Sequence, residues 1–111
     1  MSDNIIFSLH GLDDYIYWQT EDKRTLKKIN SLIKDILRNG YTGMGNPEPL
    51  KGNLSGYWSR EIDEKNRIVY KLNDEDNVEI IQCKGHYDDK YPPAARVKSG
   101  QRHFFLMPLE S

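Results

Sequence analysis

Tyr57-Trp-Ser-Arg-Glu-Ile62, Asn66-Arg-Ile-Val-Tyr-Lys-Leu72 and Asn77-Val-Glu-Ile-Ile-Gln-Cys83 are three β-prone runs separated by the polar linkers Asp63-Glu-Lys65 and Asn73-Asp-Glu-Asp76. Linkers this short close hairpins, so the runs are predicted to form an antiparallel meander. In the middle run Ile68, Tyr70 and Leu72 fall on one face, and Arg67, Val69 and Lys71 on the other. The first face needs an apolar cover; the second is predicted to stay open, with Arg67 on it.

The cover is supplied upstream. From Lys23 to Arg38, residues Leu26, Ile29, Leu32, Ile33, Ile36 and Leu37 form one helical stripe, with Lys27, Lys28, Lys34, Asp35 and Arg38 mostly outside it, and Asn39-Gly40 provides a C-cap. Before this, Asn4-Ile-Ile-Phe7 reads as a short strand entering a helix capped by Ser8, with Leu12, Tyr15, Ile16 and Gln19 at spacings of three and four. Gly11 weakens that helix slightly. A break at residues 20–22 turns the two helices into an antiparallel hairpin. The predicted fold is α+β: a twisted antiparallel sheet, made of an N-terminal strand and a C-terminal three-strand meander, with the helical hairpin packed on one face.

Residues 40–56 hold five Gly and two Pro, which argues for a long ordered loop rather than a helix or central strand. Long loops inside small domains are commonly functional. The 111 residues allow one domain with one small core, since a chain of this size buries only roughly 65% of its unfolded surface. With 37% apolar and 30% charged residues, a small enzyme or binding module fits and a large pocket does not. The lone Cys83 cannot close an internal disulfide, and no paired Cys/His spacing suits zinc. A reducing cytoplasm, no metal and no other cofactor are therefore expected. Neither a signal peptide nor a membrane span is expected, because no run reaches about 18 apolar residues and the start lacks a basic flank. Through Tyr87 the chain has 12 basic against 14 acidic residues, and after it 4 against 3. Bulk attraction to a polyanion is thus not available, and any RNA contact has to come from local basic groups.

Glu48 stands between Pro47 and Pro49, which fix two φ angles and restrict the backbone carrying its carboxylate. A carboxylate held in this way can take a proton from a ribose 2′-hydroxyl. Arg67 offers a planar fork suited to a phosphate on which negative charge builds, and Lys51 and Arg60 are further candidate phosphate ligands. His86 and Tyr87 follow the last strand; an imidazole can protonate a leaving 5′ oxygen, and a tyrosine ring can stack on a base. Each of these alone reads more readily as an ordinary surface or structural residue. Together a base, a phosphate-binding arginine and an acid are the minimum for in-line attack by a 2′-hydroxyl on its own phosphate without a metal.

The motifs Asp13-Asp-Tyr-Ile-Tyr-Trp18, Lys27-Lys-Ile-Asn-Ser-Leu-Ile-Lys-Asp35, Pro47-Glu-Pro-Leu-Lys51, Asn53-Leu-Ser-Gly-Tyr-Trp-Ser-Arg60, Asn66-Arg-Ile-Val-Tyr70 and Gly85-His-Tyr87 occur in this order. Over residues 4–87 the chain closely resembles the YoeB toxins of the RelE/ParE superfamily. The resemblance implies a fold related to microbial ribonucleases. It also implies a toxin of a type II toxin-antitoxin pair that occupies the ribosomal aminoacyl site and cuts the mRNA codon there. Carried over by motif, Glu48 is the general base, Arg67 the phosphate ligand, His86 the general acid and Tyr87 the orienting aromatic, with Lys51 and Arg60 assisting. The implied partners are the ribosome, mRNA and a YefM-like antitoxin, with operator DNA bound only through the antitoxin complex; a homodimer is left open.

Three departures from the family pattern stand out. Glu61 replaces a second arginine after Trp-Ser-Arg, which is expected to lower RNA affinity. Asn66 replaces a histidine beside Arg67, a change expected to matter little. Relatives end at the His-Tyr pair, whereas residues 88–111 extend this chain; the toxin domain is read as 1–87. The extension is unpatterned, polar from Arg96 to Arg102 with one brief apolar run at His103-Phe-Phe-Leu-Met107, and whether it is native or a read-through, ordered or not, stays open. The main rival reading is a ParE-like toxin that binds gyrase without nuclease chemistry; a second is a binding module with no enzymatic role.

Overall fold

The computed structural model describes residues 4–86 and a further strand at 104–108. In chain order these are β1 (Asn4–Ser8), α1 (Leu9–Glu21), α2 (Lys23–Asn39), β2 (Glu48–Pro49), a 3-10 turn (Gly52–Leu54), β3 (Trp58–Glu61), β4 (Arg67–Leu72), β5 (Val78–Gln82) and β6 (Phe104–Pro108). Ser8 ends the first strand and caps the first helix, its Oγ accepting from the Gly11 amide at 3.0 Å. Asp22 caps the second helix by accepting from the Arg24 and Thr25 amides. Gly40, at φ 68°, stops it.

Among the described residues the sheet order is β2-β3-β4-β5-β1-β6. The predicted meander is present, with β3–β4 and β4–β5 antiparallel, and β2 adds antiparallel to β3. β1, however, lies parallel to β5, pairing Ile5 with Val78 and Phe7 with Ile80, so the sheet is mixed and not wholly antiparallel. In that place Ile5 and Phe7 are both covered by the helices, and each is only 2% exposed. Side-chain alternation gives the buried face of a strand but not the direction of its neighbour, so this pairing was not legible. β6 runs antiparallel along the other edge of β1, from Asn4 opposite Pro108 to Ser8 opposite Phe104. The rest of the C-terminal extension, and Tyr87, lie outside the described residues.

Ile5, Phe7, Ile68, Tyr70, Val78 and Ile80 of the sheet pack against Trp18, Ile29, Leu32, Ile33 and Ile36 of the helices. The opposite face carries a smaller cluster of Leu50, Leu54, Val69 and Ile81, onto which the loop after α2 folds. The α1 stripe differs from expectation: Gly11, Asp14 and Trp18 are its buried residues, and Ile16 is 47% exposed. The reason is a close approach. A Cβ on Gly11 would stand 2.5 Å from the Ile80 carbonyl oxygen, so the helix sets its bare side directly on β5 and turns Ile16 outward. Gly11→Ala is accordingly expected to destabilise the protein by about 1–3 kcal/mol despite the better helix propensity of alanine, a loss measurable by urea denaturation. A Gly11→Ala protein at least as stable as the parent would refute this packing. No helix among the described residues is long and apolar enough to cross a membrane.

Candidate active site

The strand alternation that packs Trp58 and buries Arg60 under the helices turns Ser59 and Glu61 to the other face of β3. Across the ladders Glu48 is opposite Ser59, Ser59 opposite Val69, and Glu61 opposite Arg67. Glu48, Ser59, Glu61 and Arg67 therefore share the face away from the helices. Glu48 and Arg67 are two strands apart and two residues out of line, so their Cα atoms are roughly 12 Å apart. Ser59 lies between them, its hydroxyl buried and without a hydrogen-bond partner among the described residues.

His86 is brought to the same end of β4 by backbone and amide contacts. The Arg67 amide donates to the Gly85 carbonyl at 3.1 Å, and the Gly85 amide donates to Asn66 Oδ1 at 2.8 Å. Gln82, buried on β5, donates from Nε2 toward the carbonyls of Lys84, Gly85 and His86, at 3.2, 3.3 and 2.9 Å. From the helix side, Asp14 Oδ2 accepts from the Cys83 amide at 3.0 Å and Trp18 Nε1 donates to the Cys83 carbonyl at 2.8 Å. Both backbone groups of Cys83 are thus fixed three residues before His86, which explains the polar Asp14 on the buried side of α1. Burial pushes the Asp14 carboxyl above its ordinary value, against the opposing effect of the Cys83 amide and His10. Burial also pushes the Cys83 thiol well up, which leaves it protonated and no nucleophile at neutral pH. The exposed His86 ring directs Nε2 to the Glu64 carbonyl at 3.3 Å; that acceptor has no proton to give, so Nε2 is the donor.

One of the candidate site residues needs correction. Arg60 is fully buried and spends all five N–H groups inside the protein. Nε donates to Tyr70 Oη at 3.1 Å, Nη1 to Asp35 Oδ2 and the Met44 carbonyl, and Nη2 to the carbonyls of Gly40 and Thr42. It is the post around which the loop after α2 is wound, and has no donor left for an RNA phosphate. Asn66 ties the β3–β4 turn to the His86 segment: its Oδ1 holds Gly85 while Nδ2 donates to Asp63. Lys51 is exposed at the start of the 3-10 turn, three residues beyond Glu48. Gln82 and Ser59 were missed; a polar side chain between two apolar ones in a short strand, as at Gln82, is the signal that was available.

A family model described as YoeB-like toxin of bacterial type II toxin-antitoxin system matches residues 7–87. The chain belongs to the YoeB toxin family. Toxin YoeB of Escherichia coli K12 is 54% identical over 83 residues, covering 75% of this chain and 98% of that protein. Among solved structures, the YoeB/ParE toxin from Agrobacterium tumefaciens superposes with a TM-score of 0.73 at 43% identity, covering 78% of this chain and all of the other. Staphylococcus aureus YoeB, solved both in a heterotetrameric YoeB-YefM complex and as a dimer, gives 0.71 at 48% identity, again over 78% of this chain and all of the other. The YoeB match spans Glu48, Arg67 and His86 and stops at Tyr87, so β6 lies beyond it.

Proposed function

We propose that this toxin is a ribosome-dependent mRNA endonuclease that cleaves the codon in the aminoacyl site. The observation that carries the reading is the shared face: Glu48 and Arg67 lie on it two strands apart, and the hydrogen bonds of Gly85 place the His86 turn beside Arg67. Glu48 takes the proton of the ribose 2′-hydroxyl, whose oxygen attacks the adjacent phosphorus. Arg67 holds the charge that gathers on the phosphate oxygens, with Lys51 assisting. The P–O5′ bond breaks as His86 protonates the leaving oxygen, giving a 2′,3′-cyclic phosphate and a 5′-hydroxyl. Tyr87 stacks on a base or supports the phosphate. His86 has to leave the Glu64 carbonyl to act, which an exposed side chain with one long hydrogen bond does at little cost. The reaction takes place in the cytoplasm, held in check by a YefM-like antitoxin whose disordered tail folds on the toxin and through which the complex reaches operator DNA. A toxin dimer, as in the S. aureus structure, fits this setting.

The test is a translation reaction with primer extension on the message. Cleavage inside the codon occupying the aminoacyl site is expected. A Glu48→Ala protein that kept full toxicity in cells would move the assignment to a gyrase-binding toxin. We further propose residues 1–87 as the active unit. β6 lies on the sheet edge opposite β2, with four strands between, so removing residues 88–111 is expected to preserve or raise cleavage. A truncated chain with native circular dichroism that cuts nothing would overturn this division.

A further inference from the structure

The phosphate-binding arginine already has an anion beside it. Arg67 Nη2 lies 3.6 Å from Oε1 of Glu61, its partner directly across the β3–β4 ladder. Asn46 Nδ2 donates to that same oxygen at 3.4 Å, and the Glu61 amide donates to the Gly45 carbonyl at 2.7 Å. The loop wound on Arg60 therefore steadies the carboxylate from one side while the ladder sets it opposite the guanidinium from the other. We propose that Glu61 is a resident counter-anion of the phosphate seat, competing with RNA for Arg67 and making the toxin select RNA held in place by the ribosome over RNA free in solution.

Two anions compete for one fork. A carboxylate and a phosphate use the same guanidinium donors, so a phosphate gains its contacts at Arg67 only by displacing those of Glu61. The Glu61 side chain is 45% exposed and stands 3.6 Å from the guanidinium of a side chain that is 19% exposed, so the handicap is small enough to overcome. For free RNA, which must also meet the entropy of association, the handicap lowers occupancy directly. For a codon fixed by other contacts the effective concentration is high, and the same handicap matters little. A unit with 12 basic and 14 acidic residues through Tyr87 has no bulk attraction with which to compensate.

This inference deepens the endonuclease reading, and a binding probe separates the two. Uridine 3′-phosphate binding is measured by NMR titration for the parent, Glu61→Gln and Glu61→Asp proteins, alongside cleavage of a free oligoribonucleotide and of ribosome-bound message. Glu61→Gln is expected to bind the nucleotide about fivefold more tightly, the scale of losing one exposed ion-pair competitor, while Glu61→Asp stays near the parent. Cleavage of free RNA should rise more than cleavage on the ribosome. Equal nucleotide affinity in Glu61→Gln and parent overturns the proposal, even with cleavage intact. Tighter binding by Glu61→Gln with no cleavage by any of the proteins supports the counter-anion and rejects the endonuclease.

Discussion

Arg67→Ala and His86→Ala are each expected to lower cleavage of ribosome-bound message by at least about 100-fold while leaving the fold in place, the usual scale for deleting a charge stabiliser or an acid-base group. The structural cost of the His86 change is small. Arg67, whose side chain is 19% exposed, gives up among its contacts the pair with Glu61 at 3.6 Å, of the kind that contributes about 0.2–1 kcal/mol. His86 is exposed and its imidazole donates one long hydrogen bond. The turn bearing it is tied down through the backbone of Gly85 and through Gln82, and an alanine at position 86 leaves those ties in place. For His86→Ala activity and stability should therefore separate, with primer extension collapsing and the urea midpoint unmoved. The double variant should cost less than the product of the two, because the residues act on one transition state. Either single variant cutting within tenfold of the parent would remove that residue from the mechanism.

The same tethering shows what the sequence could and could not disclose. The α2 stripe and the hairpin linkers follow local rules, and the predicted elements match the observed ones to within a residue or two at their ends. The placing of Glu48 and Arg67 on one face was half legible: alternation put Arg67 on the open side, but only the β2–β3 register brings Glu48 there. A two-residue strand carries no periodic signal. The interior position of Arg60 was in fact written in the chain, since alternation groups it with Trp58 and Ile62 on the apolar face. A motif reading that sees a basic residue near other basic residues overrides that signal. Gln82 sits between Ile81 and Cys83, a signal in the chain, but the face it takes depends on an irregularity between Val69 and Tyr70 in the β4–β5 register, which no local pattern discloses.

Arg60→Met is expected to cost about 3–5 kcal/mol, enough to bring a domain with a typical 5–15 kcal/mol to the margin of folding. Removing the guanidinium leaves Asp35 without its cation, strips the carbonyls of Gly40, Thr42 and Met44 of their donor, and frees the loop that Gly43 lets pass against the Asp35 carboxylate. Arg60→Lys is no rescue, because three donors on a point charge cannot reproduce five in a fork. The pair also has a pH signature. The hydrogen bond from Arg60 holds the Asp35 carboxyl below the ordinary aspartate value. A depressed folded value means the contribution is whole above the unfolded aspartate pKa and is lost as pH falls through the folded one. The parent should thus lose stability on acidification below about pH 4 in a way that Arg60→Met does not share. Urea denaturation of both proteins at neutral and acid pH measures this. Equal losses on acidification would mean that Asp35 draws its stability from Met44 and Asn39 instead, and a fully stable Arg60→Met would show that the loop carrying Glu48 does not depend on this post.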